Sequence, residues 1–440
     1  MEPLARPDGR VPAGGSLDDL ASAAVGSLNA GVRARDLDDA DGAVAGLQRA
    51  HDVAVLLAAR APDRADALRV QADALYRLAD VQLERGLADQ ARAGLDAAEG
   101  LYSRLGPDPG RIADVRARRG LAHADLGHGL SALVDVQSAV LHHVQALDGD
   151  DREHSPVGLA TALAAAAAVQ ARHGSSQLAL TAAQQAAALL TRLRSDRADR
   201  AARAQRADRV DRTDRTDRGT PADRAERADL VRALEVEIRM LRALDRTTQV
   251  DAPAQALAAL VGADAVRALL DEPAPTPRLG LTYAVMHELV APQTRAEVHG
   301  MLADPLDGVS IPGFLVEPHR LLDIAREGAA TALALASYDP RLALAAGRDA
   351  ACLYACAEEL GLIEHPWPQV RMELARWLWL LSELGWLAAT TGDVVLARDL
   401  AEHAQHPLVR AESGRHLPAS IARSLADSGS RLRQLRRAVG

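Results

Sequence analysis

Small residues recur at helical spacing on both sides of a glycine, several times along the chain. Around Gly86, the residues Leu75, Leu78 and Ala79 precede a break at Glu84–Leu87, and Ala91, Leu95 and Ala98 follow it. Around Gly127 the matching positions are Gly120, then Ala132, Val136 and Ala139; around Gly174 they are Leu163, Ala166 and Ala167, then Ala179, Ala183 and Ala186. A weaker, earlier copy has Ala43, Leu47 and Ala50 after a turn at Asp36–Asp39. The glycines are 41 and 47 residues apart, a period that means stacked supersecondary units. Ala91 and Ala98, seven apart, share one stripe, so the second helix of each copy can lie close against the first. The glycine permits the reversal between them. A single hairpin of this kind cannot bury its stripe, so a core arises only when copies stack.

Composition points the same way. Phe, Trp and Tyr together number ten, there are six Ile, and Ala makes up about a fifth of the 440 residues, which favours helices over sheets. All 51 basic residues are Arg. Without Lys, the chain cannot be a Walker-type nucleotide binder, a Schiff-base enzyme or an ordinary kinase. The net charge of −9 and pI near 5.9 repel a phosphate backbone, so no direct nucleic-acid partner is expected. Cys352 and Cys356 are four apart in a helical pattern, poorly placed for a disulfide, which suits a reducing cytoplasm. No apolar run reaches the length of a membrane span, and residues 1–16 read as a loose tail without an apolar signal core. A soluble cytoplasmic protein with no membrane partner is expected. Its lack of Lys and wealth of Ala, Arg and Gly suggest a GC-rich, bacterial gene.

From Arg194 to Arg218 an Arg recurs every third residue, usually after Asp. A period of three forms no apolar face, and the tract reads as a solvated linker or fraying charged helix. The expected organisation is a tail (1–16), helical repeats (17–193), an Arg/Asp spacer (194–228) and a second helical domain (229–440). Helices are expected near 253–270, 278–290, 294–303, 319–337, 340–361, 369–390 and 393–405. Thr294 and Glu297 form a capping box, and Asp339-Pro340 reads as a cap followed by Pro at the first helical position. Asp304–Pro318, with three Pro and the only Phe, reads as a structured loop. Residues 418–439 read as a capping helix kept wet by Arg431, Arg433, Arg436 and Arg437.

These copies resemble the tetratricopeptide repeat. The clearest lies at 369–407, where Leu381, Leu384, Gly385, Ala388, Gly392, Ala397, Ala404 and Pro407 occupy consensus-like positions. Spacings of 41 and 47 exceed the family's usual ~34 and are similar to its longer-helix variants in bacterial sensory regulators. The resemblance implies an all-α fold, an α-solenoid of hairpins in two segments joined by the Arg/Asp-rich linker. It further implies a concave groove lined by the first helix of each hairpin.

Register then nominates the groove residues. In the Gly86 copy they are Asp73, Tyr76, Asp80, Leu83 and Glu84, and in the Gly127 copy Asp114, Ala117, Leu121 and Asp125. Such a groove is acidic and suits a basic or Arg-bearing peptide; the plain alternative is carboxylates that only keep a helix solvated. In the C-terminal copy Trp379, Ser382, Trp386, Ala389 and Thr390 fall on the groove ridge, with Trp377, Leu381, Leu384 and Ala388 on the packing ridge. Eight of the ten aromatic residues lie at or beyond Tyr283, so recognition anchors or core fillers concentrate there.

Reactive constellations are incomplete. His287-Glu288 has Ala291 where a second zinc ligand belongs, and Pro312 replaces the second Gly of a nucleophile elbow around Ser310. The pairs His142-His143, His403 with His406, and Cys352 with Cys356 fall short of the four ligands of a closed site. No catalytic residue, metal or cofactor is assigned. The function expected is a non-enzymatic scaffold, adaptor or regulator that binds a protein or peptide. Two alternatives stand beside it: a peptide- or ligand-responsive signalling regulator, and a hydrolase-like enzyme in 229–440 using His287, Glu288 or His319.

Overall fold

A computed structural model describes residues 16–106, 108–147, 155–207, 221–276, 318–337, 339–359, 368–405 and 419–439. Four successive hairpins come first: α1 (Leu17–Asp36) with α2 (Ala40–Arg60), α3 (Ala65–Glu84) with α4 (Ala88–Leu105), α5 (Pro109–Asp125) with α6 (Gly129–Leu147), and α7 (Ser155–His173) with α8 (Ser176–Ala207). Next come α9 (Pro221–Ala243), a 3-10 turn, α10 (Asp251–Val261) and α11 (Ala263–Asp271). The C-terminal helices are α12 (Pro318–Leu335), α13 (Pro340–Glu359), α14 (Pro368–Thr390), α15 (Val394–His403) and α16 (Ala419–Val439). The described residues are all-α and include no strand. None of their helices is long and apolar enough to cross a membrane.

The turns explain why one pattern gives one local structure. Gly86, Gly127 and Gly392 have φ of 72°, 80° and 86°, the left-handed region that glycine enters freely. Each is followed by a residue whose N–H donates back across the turn: Leu87 to Gln82 O, His128 to His123 O and Asp393 to Ala388 O, at 2.8–2.9 Å. This bond is the signature of a Schellman cap. Asp38 (φ 58°) and Asp245 (φ 57°) fill the same role, with Asp39 N–H on Ala34 O and Arg246 N–H on Leu241 O. Gly174 reverses differently, through Gln170 Oε1 accepting from Ser175 N–H.

The small-residue stripes fall where the spacing puts them. Ala43, Leu47 and Ala50, then Ala91, Leu95 and Ala98, then Ala132, Val136 and Ala139, then Ala179, Ala183 and Ala186 are all sealed from solvent. Full burial of one such Leu is worth about 1.5–3 kcal/mol. In α1–α9 each helix packs on its successor, and α1 also touches α3, α3 touches α5, α5 touches α7 and α7 touches α9. The odd-numbered helices thus form a continuous row.

One expected element differs from the sequence reading. The helix expected over 253–270 is two, because Gly262 (φ 94°) turns the chain between α10 and α11. The spacer expected at 194–228 contributes helix at both ends: Ala-rich α8 continues to Ala207, and α9 starts at Pro221. Arg197 of α8 binds Glu226 of α9 through two hydrogen bonds of 2.9 and 2.8 Å, and α9 packs on α7 and α8. Residues 208–220 lie outside the described residues, as do the helices expected at 278–290 and 294–303 and the loop from Asp304 up to Pro318, which itself opens α12. The C-terminal helices dock on the row through α6, which α13 and α15 both touch, so one apolar core runs from Ala113 to Val439.

Candidate functional site

The odd-numbered helices enclose a cavity of about 520 Å³. α1 contributes Arg35, α3 Asp80, Leu83 and Glu84, α5 Arg118, Leu121 and Asp125, and α7 Arg172 with two alanines. The far wall is one stripe of α9, with Asp229, Arg232, Glu235, Val236, Arg239 and Met240 at helical spacing.

At its centre Arg118, 8% exposed, joins two acids. Its Nε lies 3.0 Å from Asp80 and its Nη1 3.4 Å from Asp229, and it donates to the hydroxyl of Tyr76. Arg35 donates to Asp80 at 3.1 Å and to Glu84 at 2.5 Å. Arg232 donates to Asp229 at 2.5 Å, Arg172 pairs with Asp125, and Arg239 lies 3.6 Å from Glu235. Burial alone drives the Asp229 carboxyl upward, but Arg118 and Arg232 more than offset it and hold the group below the usual carboxylate range. Burial opposes the charge of Arg118 too, and Asp229 and Asp80 restore it.

Five of the residues nominated by register, Asp80, Leu83, Glu84, Leu121 and Asp125, come together on this wall. The groove is not acidic, however. Five arginines line it alongside five carboxylates, so its net charge is balanced and each acid already has a guanidinium partner. Asp73 faces α4, where its carboxylate accepts the hydroxyl proton of Tyr102. Asp114 faces α6, 3.2 Å from His143. Tyr76 is half-buried against Arg118 and packs on the apolar cluster that includes Leu95 and Val115.

Trp379, Trp386 and Thr390 line a second, more open groove of about 460 Å³ with Leu333 of α12 and Ala336 just beyond its end. Trp379 is 44% exposed. Ser382, assigned by register to the same ridge, is instead fully buried, because α14 is covered by α15 and α16 as well as by α12 and α13. Trp377, Leu381, Leu384 and Ala388 pack in the core as their ridge requires.

Register did not find the arginines or α9. Their signal is present, since Asp229, Arg232, Val236 and Met240 recur on one face, but the neighbouring Arg/Asp tract masks it. No group of three or more His, Cys, Asp or Glu side chains is placed to hold a metal among the described residues. Cys352 and Cys356 are buried and not joined in a disulfide. His287, Glu288 and Ser310 lie outside the described residues. A scan against protein-family models and a search of curated proteins each return no match.

Proposed function

We propose that the chain is a helical-repeat binding protein: an α-solenoid of tetratricopeptide-like hairpins that acts as an adaptor or regulator by receiving a peptide segment or small ligand in its concave cavity. One observation carries this reading. Five alternating helices, α1, α3, α5, α7 and α9, each deliver a charged side chain to a single cavity, as the inner helices of stacked hairpins do. Apolar Leu83, Leu121, Val236 and Met240 in the same cavity supply contact area, while the paired charges select by pattern instead of net charge. The test is a photocrosslinking residue at Leu121, compared with one at exposed Gln90 on α4. A discrete adduct at 121 and none at 90 supports the cavity as the binding surface. Equal labelling at both positions refutes it.

A ligand-responsive regulator is favoured by a further contact. α5 lines the cavity and packs on α6, and α6 carries α13 and α15 of the C-terminal half, so a ligand that moves α5 has a packed route to those helices. Hydrogen exchange in α15 that changes on occupancy of the cavity supports this, and exchange that stays the same counts against it.

A further inference from the structure

We propose that the cavity takes a small zwitterion, a free amino acid or short peptide with unblocked ends and an apolar side chain, whose ammonium group meets Asp229 and whose carboxylate meets Arg232. The inference deepens the binding role proposed above and rests on it. A volume of about 520 Å³ lies in the ordinary range for small-ligand pockets, about 300–1,000 Å³. Equal numbers of arginines and carboxylates on the wall favour neither a simple anion nor a simple cation, but a molecule carrying both charges finds partners for each.

Asp229 supplies the independent observation. It is 1% exposed and carries its charge beside Arg118, Arg232 and Thr161. Both guanidinium hydrogen bonds fall on Oδ1, and Oδ2 is left without a hydrogen-bond partner at the cavity wall. A buried carboxylate oxygen without a donor is unfavourable until one arrives, and an ammonium group brings three. Arg232 is a third exposed and makes one bond to Asp229, so the rest of its fork is free to hold a carboxylate at the neighbouring position. Leu121, Val236 and Met240 then meet an aliphatic side chain.

Calorimetric titration of the full chain decides the matter, using L-leucine, Leu-Leu and Leu-Leu-Leu against N-acetyl-leucine and leucinamide. Binding of at least one zwitterionic probe, with both blocked forms at least tenfold weaker, is the expected result. Asp229→Asn should abolish the penalty for N-acetylation and Arg232→Gln the penalty for amidation. Leu121→Trp, which fills the cavity and leaves the ion network intact, should remove binding of every probe and serves as the check if Asp229→Asn fails to fold. Blocked and free probes binding alike, or no probe binding at 10 mM, would overturn the proposal. If no zwitterion binds but the crosslinker at 121 still captures a discrete partner, the binding role survives and only the ligand class is wrong; if the crosslinker also gives nothing, both fall.

Discussion

Asp399 of α15 accepts the backbone N–H of Leu130 at 2.5 Å and the hydroxyl of Ser131 at 2.7 Å, and so caps α6 from a helix 269 residues further along the chain. A carboxylate at a helix N-terminus satisfies orphan donors and meets the positive end of the dipole. Here it also ties the C-terminal helices to the row of hairpins. Asp399→Ala should lower the unfolding free energy by about 2 kcal/mol or more, since a cap is lost and buried donors are left open; urea denaturation checks this. Burial pushes the Asp399 carboxyl above its ordinary value of 3.8, although Ser131 and the Leu130 N–H work against the shift. The folded state therefore holds this proton to higher pH than the unfolded state. The stability linked to it is full below the ordinary carboxylate value and is lost as pH rises through the raised folded value. A pH series comparing wild type with Asp399→Asn should show the wild type losing ground across that window and then levelling. Parallel curves would refute the burial argument.

The Arg118 network has the opposite sign. Asp229 is held below its usual range against the pull of burial, so its contribution is present above the ordinary carboxylate value and is lost as pH falls through the depressed one. Arg118→Met leaves Asp80 with Arg35 alone and Asp229 with Arg232 alone. Removing one member of a buried ion cluster costs about 3–5 kcal/mol. In the Asp229→Asn background the same substitution should cost clearly less, and a double-mutant cycle on denaturation midpoints measures the coupling. Additive losses would mean that Arg118 acts by packing alone.

Backbone geometry at the turns separates two kinds of glycine. A Cβ added at Gly86 meets nothing within 4 Å, so Gly86→Ala should cost only the strain of positive φ, about 1 kcal/mol. Asp38 stands in the same conformation with a side chain, and Asp38→Gly should be stabilising by roughly 0.5 kcal/mol. Gly46 is different, because its Cβ would fall 2.6 Å from the Cα of Gly31 on the facing helix. Gly46→Ala must force α1 and α2 apart, at a cost of about 1–3 kcal/mol. Thermal melts of the three variants should rank Asp38→Gly above Gly86→Ala above Gly46→Ala.

Periodicity in a single helix reports that a face is covered, but not what covers it. The stripe Ala91, Leu95 and Ala98 is legible because its partner is the preceding helix of the same hairpin, a few residues away. Ser382 is misplaced by the same rule, since the helices packed around α14 include α12 and α16, which lie across gaps in sequence that no local pattern encodes. Arg118 and Asp229 are 111 residues apart, and each reads alone as a solvated charge on a helix face. Their burial follows from the way α9 closes the row of odd-numbered helices. The cavity's position was therefore legible from register at α3 and α5, while its charge balance depended on Arg118 of α5 and on the arginines delivered from α1, α7 and α9.

Trp377 and Trp379 are two residues apart and face different surroundings. Trp377 is fully buried, stacked on Tyr354 with ring centroids 6.4 Å apart and edge-on to His403. Trp379 is 44% exposed and lines the groove that Leu333 and Ala336 also line. Truncating a buried Trp removes its transfer free energy and leaves a cavity, about 3–5 kcal/mol, so Trp377→Ala should unfold the C-terminal half at a much lower denaturant concentration. Trp379→Ala gives up a contact that water already reaches and should change the midpoint by under about 1 kcal/mol. Tryptophan emission provides a second readout: loss of the Trp379 signal should reduce the red-shifted, quencher-accessible part of the spectrum, because Trp379 is 44% exposed whereas Trp377 is sealed from solvent. A large loss of stability in Trp379→Ala would place that ring in the core and remove the groove as a contact surface.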